Sequence, residues 1–103
     1  MNIPTEDMTA PELIYDQLGG KSFMIMIGAT NLIEGNRTLS FNVKRNPKGI
    51  THVHIVLDLP DLYDVEFLKV SDYGTATLSE SYNVCPGDLR KIITEGTGLE
   101  INL

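Results

Sequence analysis

The chain is poor in cysteine, in basic residues and in long apolar runs, and each shortage narrows what it can be. Cys85 is the single cysteine among 103 residues, so an internal disulfide is excluded and a reducing compartment is the natural setting. No apolar run approaches the ~20 residues needed to cross a bilayer, which argues against membrane insertion. The stretch Met1 to Asp7 has no basic segment leading into an apolar one, so it does not read as a secretory signal and the expected location is the cytoplasm. Eight Lys and Arg stand against fourteen Asp and Glu, for a formal charge of −6. That balance opposes non-specific attraction to nucleic acid, because phosphates attract cations. No linker, repeat or low-complexity segment divides residues 1–103, and a chain of this length predicts a single domain with one core.

What is present is a period of two. Val53, Ile55 and Leu57 alternate with His52, His54 and Asp58, and beyond Leu59-Pro60-Asp61 the residues Tyr63, Val65 and Phe67 alternate with Asp64 and Glu66. Two half-buried strands joined as a hairpin follow from that spacing. Leu39, Phe41 and Val43 predict another strand before it, with Glu34-Gly35-Asn36 and Asn46-Pro47-Lys48-Gly49 as turns. Phe23-Met24-Ile25-Met26-Ile27 is rich in β-formers and is expected as a strand buried on both sides, central in the sheet. Thr75 to Leu78 predicts a short fifth strand at an edge.

Helices are expected at the two ends. Thr9 and Glu12 have capping-box spacing, Leu13, Ile14 and Leu18 share a side, and Gly19-Gly20 supplies a stop, which places a helix at about residues 10–18. Pro86-Gly87-Asp88 opens onto Leu89, Ile92 and Ile93, a second helix that Gly96 can end; Leu99, Ile101 and Leu103 then alternate as an extended tail. The fold class expected is α+β: an antiparallel four- to five-stranded meander covered on one face by an N-terminal and a C-terminal helix.

Chemistry concentrates on the polar face of the central hairpin. Asp58, Asp61, Asp64, Glu66 and Asp72 form an acidic group that would complement a basic protein surface and speed encounter with it. The ordinary alternative is a solvated face that only aids solubility. His52 and His54 lie on the same face as Asp64 and Glu66, so a metal site, and with it a metal-dependent enzyme, is the outside possibility. Arg37, Lys44, Arg45 and Lys48 form a local basic stretch that would suit single-stranded nucleic acid. Other motifs fail on inspection. Gly20-Lys21-Ser22 lacks the leading glycine of a phosphate-binding loop, since Tyr15 stands there, and Gly96-x-Gly98 is followed by Ile101 where a dinucleotide fingerprint needs a small residue. Cys85 precedes proline in an expected loop with no activating base nearby. No catalytic residue and no cofactor are expected.

Several stretches carry a resemblance: Gln17-Leu18-Gly19-Gly20 with Phe23, Met26, Gly28 and Ala29; Leu39-Ser40-Phe41; Tyr63-Asp64-Val65-Glu66-Phe67; and Thr97-Gly98-Leu99. Together they resemble short proteins encoded by bacteriophages and other mobile elements, a group largely without assigned activity. The resemblance implies an origin, and with it a place in the host cytoplasm, but transfers no catalytic residue. The expectation from these features is an acidic accessory protein that binds, and thereby sequesters or inhibits, a host or defence protein with a basic surface. A homodimer is the other partner to consider.

Overall fold

The spacing of Thr9 and Glu12 does what a capping box requires. In the computed structural model, which describes residues 9–58 and 62–99, the Glu12 amide donates to Thr9 Oγ1 at 3.3 Å and the Thr9 amide donates to Glu12 Oε1 at 2.9 Å. Two donors that the helix itself leaves unpaired are thereby satisfied. Helix α1 (Ala10–Leu18) carries Pro11 in its first turn, buries Ile14 and Leu18, and ends at Gly19, whose φ of 108° is left-handed backbone.

The apolar run after Gly19 is a helix, α2 (Gly20–Met26), and the strand expected at Phe23 to Ile27 is corrected. The phase of burial gives the reason. Phe23, Met24 and Ile27 are buried while Ile25 between them is 66% exposed. Positions i, i+1 and i+4 share one side of a helix, whereas a strand would have turned Phe23, Ile25 and Ile27 the same way. β-propensity gives way to the burial that the helical arrangement offers. The Lys44 amide donates to the Ile27 carbonyl at 3.1 Å, tying the end of α2 to the loop that follows the second strand.

Five strands then run as an antiparallel meander in sequence order: β1 (Thr30–Gly35), β2 (Thr38–Asn42), β3 (His52–Asp58), β4 (Leu62–Ser71) and β5 (Gly74–Val84). The central strand is β3. β1, which the sequence reading left unassigned, is an exposed edge strand beside β2. β5 is the other edge and runs well past the segment expected for it. Leu39 and Phe41 of β2, Val53, Ile55 and Leu57 of β3, and Tyr63, Val65 and Phe67 of β4 all point to one face and are buried. A 3-10 turn at Pro86–Asp88 leads into α3 (Leu89–Thr97), which buries Leu89 and Ile93. α1 packs on β2 and β3, α3 packs on β4 and β5, and the two helices touch. The architecture is thus α+β with helices from both ends of the chain on one side of the sheet.

Thr51 secures the entrance to β3. Its amide donates to the Leu68 carbonyl at 2.9 Å, its carbonyl accepts from the Val43 amide at 3.0 Å, and its Oγ1 accepts from the Val70 amide at 2.8 Å. The hydroxyl acts as a backbone carbonyl would, so β4 stays held after the regular ladder stops.

Gly96 does not end α3; Gly98 does, with φ of 76° and its amide donating to the Thr94 carbonyl. Gly96 serves packing instead. A Cβ built there would fall 2.2 Å from the Phe67 ring, so only a bare backbone lets the helix settle on that ring. The turn at Leu59-Pro60-Asp61 and the tail beyond Leu99 lie outside the described residues.

Two outcomes follow from the packing. Gly96→Ala should lose about 1–3 kcal/mol of stability through overpacking, read by urea denaturation. Ile27→Ala should lose about 2–5 kcal/mol while Ile25→Ala stays within about 0.5 kcal/mol; equal losses at the two positions would contradict the helical phase of α2.

Candidate functional site: the outer face of the sheet

The face of the sheet turned away from the helices carries His52, His54, Asp58, Asp64, Glu66 and Glu80, and strand register decides which of them meet. His54 stands opposite Glu66, Val56 opposite Asp64, and His52 opposite Leu68. Across the next boundary Glu66 stands opposite Glu80. Three carboxylates, Asp64, Glu66 and Glu80, therefore share the β4–β5 half of the face, with Tyr82 beside them.

Two of these side chains have defined local roles. The Asn83 amide donates to Asp64 Oδ1 at 3.1 Å. Asn83 is in left-handed backbone, φ 57°, where β5 slips register against β4, so the carboxylate takes up an N–H that the ladder leaves over. Tyr82, 58% exposed, hydrogen-bonds to Glu80. That bond, together with the charges of Glu80, Glu66 and Asp64, holds its phenol above the ordinary 10.0.

The expected acidic group is only partly brought together. Asp58 is exposed at the end of β3 on this same outer face, opposite Leu62. Asp72 sits in the turn after Ser71, at the far end of β4, roughly 20 Å along the strand from Glu66 and further from Asp64, so it does not join them. Asp61 lies outside the described residues. Glu80 and Tyr82 were missed because the fifth strand was expected to stop at Leu78. The i, i+2 spacing of Glu80 and Tyr82 was the available signal.

Both alternative sites are taken apart by the same register. The candidate metal set His52, His54, Asp64 and Glu66 does not converge: among the described residues no three His, Cys, Asp or Glu side chains form a group that could hold a metal ion. His52 Nδ1 is 2.7 Å from Thr51 Oγ1 and its cross-strand neighbour is Leu68, while Asp64 is engaged by Asn83. The candidate nucleic-acid group is split as well. Arg37 turns the β1–β2 hairpin and its Nε donates to the Leu57 carbonyl at 2.9 Å, while Lys44, Arg45 and Lys48 lie past the other end of β2, roughly 20 Å along the strand. In that loop the Asn46 side chain bonds the Lys44 and Ile50 carbonyls and the Ile50 amide, which fixes its path. Cys85 is exposed between β5 and the 3-10 turn. No described helix is long and apolar enough to cross a membrane.

Removing the Glu80 charge should lower the Tyr82 pKa toward 10.0. Glu80→Gln, titrated by ultraviolet absorption against a Tyr82→Phe reference that identifies the Tyr82 signal, should move that one titration down and leave the others in place. An unmoved signal would mean that Glu80 is not the dominant influence. Comparison of the chain with protein-family models, with curated proteins and with solved structures finds no match in any of the three.

Proposed function

We propose that this chain works by binding: the outer face of its sheet engages a basic surface on another protein, and occupying that surface is its action. The observation that carries the reading is the register that aligns Asp64, Glu66 and Glu80, with Tyr82, on a face over which no described element lies. The net charge of −6 acts in the same direction over longer range, since a negative molecule is steered toward positive patches and repelled by nucleic acid. A carboxylate row on a rigid sheet needs no cleft and no reacting group to compete for a cationic groove. The resemblance to mobile-element proteins fits a host or defence protein as the partner, met in the host cytoplasm. Asp58 extends the acidic face along the hairpin, whereas Asp72 stands apart from it.

Affinity capture from bacterial lysate with the wild-type chain, compared with a D64N/E66Q/E80Q variant, tests the reading. The wild type should retain proteins with basic surfaces, and the variant should lose them. Retention should also fall as salt rises, because screening lengths shrink from about 10 Å at 0.1 M to about 3 Å at 1 M. The same captured set from both chains would remove the acidic face from the account.

A further inference from the structure

The edge of β5 combines three features that the acidic face does not by itself use. The strand spans Gly74–Val84 and is nearly all exposed, and among the described residues no sixth strand pairs with it. Its open side therefore offers backbone donors and acceptors to an incoming chain. Beside it, between β5 and α3, lies a cleft of about 370 Å³ with Phe67, Leu78 and Ile92 among its apolar walls and Lys48, Glu80 and Glu95 among its charged ones. The third feature is the set of carboxylates on the opposite side of the same edge, Glu80 with Glu66 and Asp64.

A bulge builds the cleft. Phe67 pairs with Ser79 and Leu68 with Thr77, so Leu78 is the extra residue of β5 and is turned into the cleft wall. Re-aiming one side chain is what a bulge does, at the cost of one interrupted ladder position. Leu78 remains 47% exposed, an apolar side chain at the mouth of the cleft with room for a neighbour. β1, the other edge, is shorter and has Ile33 rather than a carboxylate on its outer side.

We infer that β5 and the cleft beside α3 receive an extended segment of a partner protein in which basic and apolar residues alternate, added to the sheet as a further strand. The alternation follows from geometry. Successive side chains of an added strand point to opposite faces. One set would enter the cleft over Phe67, Leu78 and Ile92, the apolar part of its lining. The other set would lie beside Glu80 and Tyr82, where a lysine or arginine meets Glu80 directly, with Glu66 and Asp64 one strand further in. Main-chain hydrogen bonds would supply affinity and the two environments would supply selectivity. The inference deepens the reading of a basic partner and rests on it, adding the segment's conformation and sequence pattern.

The decisive probe is an end-blocked octapeptide of alternating lysine and valine. Its control is a block peptide of the same composition with the four lysines first and the four valines after. Titrated into the 15N-labelled chain, the alternating peptide should shift amides of Thr77–Tyr82 and Ile92–Gly96, and should bind at least about tenfold more tightly than the block peptide, a difference of ~1.4 kcal/mol. Leu78→Ser, at an exposed position, should reduce that preference, and Glu80→Lys should weaken the alternating peptide by a similar factor. Equal binding of both peptides, with shifts confined to the outer face around Asp58, Asp64 and Glu66, would overturn strand addition and leave the basic-partner reading standing. No binding of either peptide at low salt would overturn both. A chain that is dimeric without peptide, and whose β5 amides change on dilution to monomer, would show the edge to be taken by a second copy and would overturn the inference.

Discussion

The pairing of β3 with β4 is the constraint on which the rest of the molecule depends. Val53 faces Phe67, Ile55 faces Val65 and Leu57 faces Tyr63, and all six are buried. A slip of one residue would turn the three buried side chains of one strand to water and bring either His52 and His54 or Asp64 and Glu66 beneath the helices, so burial of one face specifies the register strongly. β2 extends the same apolar surface by setting Leu39 beside Ile55 and Phe41 beside Val53. Ile14, Leu18, Phe23, Met24, Leu89 and Ile93 close over it from the helical layer. The polar face is therefore a consequence of the core: whatever alternates with the buried residues has to point outward.

Regularity ends at the edges, and the features that bear on function are found there. β5 slips register against β4 twice, once at Leu78 and once near Asn83. At the second slip the backbone turns left-handed and Asp64 takes the released amide, so that carboxylate has a structural duty as well as a place in the acidic face. At the first, an apolar side chain is diverted into a cleft beside α3. The close seat of Gly96 on Phe67 brings α3 near enough for the helix to form the other wall. A regular five-stranded ladder would have left neither the diverted leucine nor the bonded carboxylate.

The electrostatic character of the outer face belongs to a group of side chains. Glu80 opposite Glu66 is a like-charge pair of the kind that costs stability on a sheet surface. Tyr82 offsets part of that cost by donating to Glu80, and that hydrogen bond, more than the surrounding charge, raises its pKa. The proposed binding of a basic partner rests on this concentration of charge.

The alternation in residues 52–58 and 62–67, the capping box at Thr9 and Glu12, and the apolar spacing of Leu89 and Ile93 were enough by themselves to determine the central hairpin, the first helix and the last one, because each is a local period matched by a local geometry. Where a period was absent, the sequence was silent or misleading. Phe23 to Ile27 is apolar at every position, so no alternation distinguishes strand from helix, and the choice was made by which three side chains the core could accept. Glu80 joined Glu66, Asp72 was left apart, and Arg37 was separated from Lys44 by the length of a strand, none of which is visible in the order of residues. Which side of a strand a residue occupies is written in its neighbours along the chain; which residue it meets there is set by register, bulges and close helix packing, and those exist only once the whole sheet has formed.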